Sequence, residues 1–322
     1  MSRSLFPKIS VSRQQWLKVA DDHQIYVEES GSVKGIPVLY IHGGPGSGSS
    51  EHYRRYFDPE KYRIITFDQR GCGRSKPSPS IKNNTTELLV SDIEAIREQL
   101  NISKWLITGG SWGTTLALLY GIKYSKRVLG FILRGIFLAT QEEFDWLYGS
   151  AGACAFFPEY YREFIEHLPI EQRENLIEGY QQQTSSINEV AAIAASKSWF
   201  LWELRLSSLS QQHIDKSSIT DPHQAHCMAL ISSYYFSQNA FIEENYILNN
   251  IDKICAIPAV IIHGRYDMVC QLKVADKLYR AWNNAQLQIM PNAGHSGFEP
   301  QTIDAFCKAT DKMADFLNET SL

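Results

Sequence analysis

One serine of the chain stands in a pattern that prepares a hydroxyl for nucleophilic attack. The run GGSWG at Gly109–Gly113 fits G-x-S-x-G. It follows an apolar stretch at 105–108 and precedes a helix-favouring stretch at 115–120. A tight strand-to-helix turn of this kind raises the serine above the sheet edge, and its glycines avoid a clash with neighbouring backbone. We therefore predict that Ser111 is a catalytic nucleophile.

A serine hydroxyl is a weak nucleophile at neutral pH, so it requires a base and a group that orients the base. Asp267 follows an apolar run at 260–262, and His295 follows the last such run, at 287–289. Both should emerge beside Ser111, because parallel strands present their carboxyl ends at one edge. We predict that His295 accepts the serine proton and that Asp267 holds the imidazole. Asp276, the nearest alternative to Asp267, lies within a helical pattern.

The tetrahedral intermediate of such a reaction needs two donors to its oxyanion. The backbone N–H of Trp112, directly after the serine, is one expected donor. The other is expected from Gly44 in the run HGGPG at 42–46, which follows an apolar run at 38–41. The alternative is that these glycines only form a tight turn, as Gly46 and Gly48 could do.

The apolar runs before these residues have the length and continuity of strands that are buried on both faces. Helical patterns separate several runs, and the clearest spans Thr85–Leu100. A hairpin is predicted at 17–29. Strands that alternate with helices predict an α/β fold, with a mostly parallel central sheet and helices on both faces. The runs lie at 38–41, 64–67, 105–108, 128–133, 260–262 and 287–289.

The alternation of strands and helices stops near Ala139 and resumes near Ile257. The segment between them is aromatic, rich in Gln and helix-favouring. We predict a core domain formed by residues 1–138 and 251–322, and a helical cap domain at 139–250 over the carboxyl edge of the sheet, where ligands bind in open α/β sheets. The alternative is a string of surface helices unrelated to the site.

Composition limits the class of protein and its partners. The 322 residues, 44% hydrophobic, suit one large domain or a domain with an insertion. The formal net charge of −4 gives nucleic-acid binding no electrostatic support. No apolar run approaches the roughly 18 residues of a membrane span, and the first residues lack an apolar signal core.

The six cysteines are far apart and lack zinc spacing. We expect a cytoplasmic protein with free thiols, no metal and no membrane partner; its oligomeric state stays open.

Five motifs resemble those of the proline iminopeptidases, an α/β-hydrolase family that removes N-terminal proline from peptides. They are HGGPG at 42–46, DQRGCGRS at 68–75, NNTT at 83–86, GGSWG at 109–113 and GRYD at 264–267. The similarity extends from about Leu17 to about Thr310. Related haloalkane dehalogenases and epoxide hydrolases carry Asp at the nucleophile position, so Ser111 argues against both. The resemblance implies the α/β-hydrolase fold, no metal or organic cofactor, and small peptides with N-terminal proline as substrates.

The resemblance also implies how a free amino terminus is bound. Glu203, in the run WFLWE at 199–203, matches a family carboxylate in the cap that pairs with the substrate ammonium. Its alternative is a glutamate on a helix surface. The position of a second family carboxylate holds Ser232, which we expect to bind substrate by accepting a hydrogen bond, although it carries no charge. Glu243 or Glu244 could compensate for it.

The prolyl ring of such a substrate needs a small apolar pocket. Phe137 and Phe236 match aromatic residues of the family pocket, and Trp202, in the same run as Glu203, is also expected to bind substrate. Trp146 and Tyr148 are further candidates. Core packing is the alternative role for each of these side chains.

These residues predict a serine aminopeptidase that releases N-terminal proline through an acyl-enzyme. A broader esterase or amidase of the same fold is the first alternative, because Ser232 departs from the family pattern. A non-catalytic ligand-binding member is the second, and the complete set of Ser111, Asp267 and His295 argues against it.

Overall fold

A computed structural model describes residues 2–209 and 221–320. Within them, eight strands form one sheet in the order β1-β2-β4-β3-β5-β6-β7-β8. The pairs β1–β2 and β2–β4 are antiparallel, and every other neighbouring pair is parallel. The strands are β1 (Arg13–Lys18), β2 (Gln24–Gly31), β3 (Ile36–Ile41), β4 (Tyr62–Asp68), β5 (Trp105–Ser111), β6 (Val128–Ile136), β7 (Ala259–Gly264) and β8 (Ala285–Met290).

Helices follow or separate the parallel strands, as the alternating pattern predicts. No helix in the described part of the chain is long and apolar enough to cross a bilayer. A short 3₁₀ turn at Tyr53–Tyr56 lies between β3 and β4. The α-helices are α1 (Thr86–Gln99), α2 (Trp112–Lys123), α3 (Gln141–Tyr148), α4 (Pro158–Glu166), α5 (Leu176–Thr184), α6 (Glu189–Ser207), α7 (Pro222–Ser237), α8 (Tyr246–Asn249), α9 (Leu272–Ala281) and α10 (Pro300–Thr320).

Both faces of the sheet are buried, because successive side chains of a strand point to opposite sides. In β3, Leu39 and Ile41 join the core that α1, α2 and α9 cover. Val38 and Tyr40 join the core beneath α10 and the 3₁₀ turn. The unbroken apolar runs are therefore strands with two covered faces, and the predicted α/β-hydrolase architecture is confirmed.

The segment between β6 and β7 carries helices α3 to α8, and its described residues include no strand of the sheet. Helices α5, α6 and α7 pack on one another, and α4 packs on α6. Their interior is aromatic: Phe164 stacks on Tyr180 with centroids 4.4 Å apart, and Tyr148 stacks on Trp199 at 4.6 Å. The division into core and cap domains at 139 and 250 stays a prediction.

Candidate active site

Ser111 lies where β5 ends and α2 begins, and its backbone conformation is that of a tight turn with positive φ. Its φ of 57° and ψ of −129° place it in a region that residues other than glycine seldom occupy. A Cβ at Gly109 would lie 2.8 Å from the carbonyl oxygen of Gly113, and one at Gly113 would overlap the carbonyl oxygen of Ile41. The glycines of G-x-S-x-G are therefore required by close backbone approach.

Asp267 and His295 form a buried pair at the carboxyl edge of the sheet. Nδ1 of His295 lies 2.8 Å from Oδ2 of Asp267. The other carboxylate oxygen, Oδ1, accepts the backbone N–H groups of Val269 at 3.0 Å and Cys270 at 2.8 Å. Burial by itself raises the pKa of Asp267, but His295 and these hydrogen bonds outweigh it and lower the pKa. An ionised Asp267 accepts a hydrogen bond from the Nδ1–H group, which leaves Nε2 of His295 as the basic nitrogen.

Ser111 and His295 line the same cavity of about 640 Å³. The end of β6 passes directly behind the histidine, where a Cβ at Gly135 would lie 3.0 Å from its Cε1 atom. The guanidinium of Arg134 donates to the backbone oxygen of His295. The strand and the guanidinium together restrict how the imidazole can move.

His263 is a second histidine behind Asp267, and sequence analysis did not assign it a role. Its Nδ1 accepts the backbone N–H of Ile136 at 3.2 Å, so Nε2 carries the proton. Nε2 then donates to the carbonyl oxygen of Cys270 at 2.8 Å and lies 3.5 Å from Oδ2 of Asp267. Burial lowers the pKa of His263, which favours this neutral form. A polar ring at the end of an apolar strand run was the signal that could have revealed it.

Cys270 lines the cavity beside Ser111. Burial raises the pKa of the Cys270 thiol well above its usual range, and the charges of Asp267 and Glu143 raise it further. The thiol is therefore protonated, and it is a poor nucleophile in comparison with a thiolate.

The two predicted oxyanion donors lie on segments that one glutamine connects. The side chain of Gln69 donates to the backbone oxygen of His42 at 2.8 Å and accepts from Nε1 of Trp112 at 3.0 Å. Gly44 lines the cavity, and a Cβ at Gly43 would lie 3.3 Å from Cβ of Ser111. The loop that carries Gly44 therefore lies against the nucleophile, as two convergent donors require.

Glu203 reaches the same cavity from α6 in the predicted cap. It is buried, and its Oε1 accepts the hydroxyl of Tyr148 at 2.6 Å. Burial raises the pKa of Glu203 to about 7, although the hydrogen bond from Tyr148 acts in the opposite direction. Tyr148, named among the pocket aromatics, thus contacts the carboxylate through its hydroxyl and is not among the residues that line the cavity.

Phe137 and Phe236 line the cavity as the resemblance implies. Their ring centroids are 5.9 Å apart in an edge-to-face arrangement, and Phe144 packs against both rings. This aromatic corner is the right kind of surface for a saturated ring.

Trp202 and Ser232 lie elsewhere than expected. Nε1 of Trp202 donates to the carbonyl oxygen of Leu147, and its ring stacks on Phe164 inside the cap, so it does not belong to the cavity wall. Ser232 is fully buried and donates to the carbonyl oxygen of Pro45 at 2.8 Å. This hydrogen bond joins α7 to the glycine loop. The neutral hydroxyl satisfies a buried carbonyl oxygen that a carboxylate would repel.

Neither proposed substitute for the missing second carboxylate belongs to the cavity wall. Glu244 accepts the backbone N–H of Gln141, and Glu243 is exposed. Glu203 is the one carboxylate among the described residues that line the cavity.

Comparisons with known proteins show the family of this chain. Residues 36–301 match the family model of the alpha/beta hydrolase fold. The proline iminopeptidase of Xylella fastidiosa (strain 9a5c) is 43% identical over 96% of this chain and 99% of its own. That of Arabidopsis thaliana is 40% identical over 97% of this chain and 82% of its own. The solved structure of a proline iminopeptidase-related protein from Thermus thermophilus shares the fold, with a TM-score of 0.62 at 20% identity over 95% of this chain and 98% of the other. The chain therefore belongs to the proline iminopeptidases of the α/β-hydrolase fold.

Proposed function

We propose that this protein releases N-terminal proline from small peptides through an acyl-enzyme on Ser111. The observation that carries the proposal is the shared cavity, which joins Ser111 and the Asp267–His295 pair to one buried carboxylate, Glu203. The first group of residues supplies acyl chemistry, and the carboxylate supplies recognition of an amine. Peptide substrates and proline specificity are also what the names of the relatives indicate.

In the acylation step, the oxygen of Ser111 bonds to the prolyl carbonyl carbon while Nε2 of His295 takes the hydroxyl proton. Asp267 stabilises the resulting imidazolium. The N–H groups of Trp112 and Gly44 bind the oxyanion. The intermediate then breaks its C–N bond, and His295 returns the proton to the leaving amine, which frees the shortened peptide.

In the deacylation step, a water molecule attacks the prolyl ester and gives its proton to His295. The ester C–O bond breaks, and the proton returns to Ser111. Free proline leaves, and the enzyme is restored.

Substrate selection in this account depends on Glu203 and the aromatic corner. A free N-terminal proline carries a positive charge near neutral pH, and enclosing that charge without a partner is unfavourable. Ionised Glu203 provides the partner, and the hydroxyl of Tyr148 orients its carboxylate at 2.6 Å. Phe137 and Phe236 would receive the pyrrolidine ring.

A broader esterase or amidase is the second candidate function, and Ser232 is the observation that favours it. Ser232 stands at the position of the second family carboxylate and is buried against Pro45, so the described residues of the cavity wall include one carboxylate rather than a pair. Weaker recognition of an amine would leave the acyl chemistry intact and widen the range of acyl groups.

Four substrates distinguish these functions: a prolyl arylamide, an alanyl arylamide, an N-acetylprolyl arylamide and a simple aryl ester. We expect the highest kcat/KM among the amides for the free prolyl compound, and a large loss on N-acetylation, which removes the cation. Equal rates on the free and acetylated prolyl compounds would favour the esterase or amidase. No turnover of any of the four would argue for a non-catalytic protein.

We also propose that the protein works in the cytoplasm. All six cysteines are free thiols, which suits a reducing compartment.

A further inference from the structure

The cavity that contains Ser111 extends to a second, more exposed end on the core side. Leu5, His52, Tyr53, Arg55 and Phe298 line this end. Phe298 exposes 41% of its surface, so this end communicates with solvent. The size of the whole cavity, about 640 Å³, is in the range that encloses a drug-sized ligand. The space thus suits a molecule that extends beyond a single prolyl residue.

Arg55 is a cation at this end that pairs with no carboxylate of the described residues. Its Nε donates to the carbonyl oxygen of Phe6 at 2.7 Å, and its Nη1 donates to Nδ1 of His52 at 3.3 Å. The neighbouring Arg54 is different, because its Nη1 lies 3.0 Å from a carboxylate oxygen of Glu28. The backbone and His52 therefore hold the Arg55 side chain, while its charge is left without a counter-ion.

The leaving group of the proposed reaction departs on the side of His295, because this residue protonates the leaving amine. The chain after His295 continues along the cavity wall through Ser296 and Gly297 to Phe298. The ring of Phe298 then contacts His52 and Tyr53, with centroids 5.5 Å and 6.0 Å away. A continuous wall thus leads from the proton donor to the turn that carries Arg55.

The charges on the cavity wall are complementary to those at the two ends of a short peptide. Glu203, the carboxylate, comes from the predicted cap. The two guanidinium groups of the wall, those of Arg134 and Arg55, come from the core. The guanidinium of Arg134 donates to the backbone oxygen of His295. A short peptide with free ends has an ammonium at one end and a carboxylate at the other, so Arg55 is the group left for the carboxylate.

We propose that Arg55 binds the C-terminal carboxylate of short peptide substrates, so that free dipeptides or tripeptides are preferred to their blocked forms. The proposal rests on the peptidase function proposed above and adds a specificity residue on the leaving-group side. A guanidinium suits this role because its planar N–H groups can bind both oxygens of a carboxylate.

The test compares kcat/KM for prolyl-leucine and prolyl-leucyl-glycine with kcat/KM for their C-terminal amides. For the wild-type protein we expect the free acid to exceed the amide by about tenfold at one of the two lengths, the size of one charge-assisted hydrogen bond. Arg55→Met should bring this ratio near one, mainly through KM. Arg55→Lys, which keeps the charge and a donor, should retain part of the preference.

Two controls keep the proposal separate from folding and from the peptidase function itself. The prolyl arylamide has no carboxylate, so its rate corrects each variant for general damage. Arg280→Met removes an exposed arginine that pairs with Asp276 on α9 and should keep the wild-type ratio. A wild-type ratio near one at both lengths, or a full preference in Arg55→Met, would overturn the role of Arg55. Failure to cleave the arylamide would instead overturn the peptidase function.

Discussion

Two buried carboxylates of the site differ in charge state, as the proposed division between acyl chemistry and amine recognition requires. Asp267 is buried but has a lowered pKa, because His295 and two backbone N–H groups favour its charged form. Glu203 is buried and accepts a hydrogen bond from Tyr148, and burial raises its pKa to about 7. The two carboxylates thus differ in charge state near neutral pH. Asp267 thus suits the role of a permanently charged group that orients His295, and Glu203 suits that of a carboxylate whose charge a bound cation stabilises.

Replacing Glu203 with Gln tests its role in binding the amine. The change keeps the shape of the side chain and removes its charge. The kcat/KM for a prolyl arylamide should therefore fall by a factor that corresponds to ~2–5 kcal/mol of activation free energy, the range for removing one member of a buried charge pair. A small aryl ester offers no cation and should lose much less. Steady-state rates on both substrates give the comparison. Equal losses on amide and ester would assign Glu203 a structural role.

The raised pKa of Glu203 also predicts a pH dependence. As pH falls through about 7, Glu203 gains a proton and loses its attraction for the substrate ammonium. The ratio of kcat/KM for the prolyl arylamide to that for the ester should therefore decline from pH 8 to pH 6. The ratio is the useful quantity, because any titration of the catalytic residues affects both substrates. In Glu203→Gln the ratio should not change with pH; a decline of wild-type size in that variant would contradict the assignment.

At the scale of elements, a few side-chain hydrogen bonds hold the segments of the site together. Gln69, at the start of the loop after β4, joins the glycine loop after β3 to the first residue of α2. Ser232 joins α7 to the same glycine loop. His263 and Arg134, on β7 and β6, hold Asp267 and His295 from behind. Ser111, Asp267 and His295 come from distant parts of the chain, so their geometry depends on these contacts.

Replacing Gln69 with Leu should weaken oxyanion stabilisation without unfolding the protein. Both bonded partners, the oxygen of His42 and Nε1 of Trp112, would remain buried and unsatisfied, at a cost of ~1–3 kcal/mol each. We expect a loss in kcat of about ten- to a hundredfold, with KM changed less, since one oxyanion donor contributes ~3 kcal/mol. Gln182→Leu on the exposed surface of α5 is the matched control. Wild-type kcat in Gln69→Leu would show that the connection does not position the donors.

The strands, the helices and the meeting of Ser111, Asp267 and His295 at one edge of the sheet could be predicted from the sequence. The strands had continuous apolar runs, and Ser111, Asp267 and His295 each followed one of them, so one edge of the sheet was expected to collect all three. Trp202 and Ser232 were assigned to substrate binding by motif position, but helix orientation directs one into the cap interior and the other to Pro45. Gln69, His263 and Arg55 were missed because their roles arise from tertiary contacts that no local pattern records.

At the scale of the whole molecule, α10 and the 3₁₀ turn together cover the second core of the sheet. Phe306 of α10 packs against Tyr40 of β3, Tyr56 of the 3₁₀ turn and Phe57, with centroids 6.2 Å, 4.5 Å and 6.2 Å away. Thr310 of the same helix donates to the backbone oxygen of Tyr56 at 2.8 Å. This helix lies opposite α1 and α2, so it should contribute to stability rather than directly to chemistry.

Truncating Phe306 to Ala should therefore destabilise the fold by ~3–5 kcal/mol, the usual cost of removing a buried phenylalanine ring. Urea or thermal unfolding followed by circular dichroism measures the change. Phe156→Ala removes the same ring from a site where 62% of the residue surface is exposed, and should cost far less. Similar losses in the two variants would mean that α10 does not support the second face as described.

The proposed reaction depends above all on Ser111 as the nucleophile that forms an acyl-enzyme with prolyl substrates. The most direct test is kcat of highly purified Ser111→Ala on a prolyl arylamide, with circular dichroism to verify the fold. Alanine fits the tight turn sterically, so the protein should fold while kcat falls on the order of 10⁵–10⁶-fold, as in other serine hydrolases. Retention of more than about one hundredth of wild-type kcat, far above that expectation, would contradict the account.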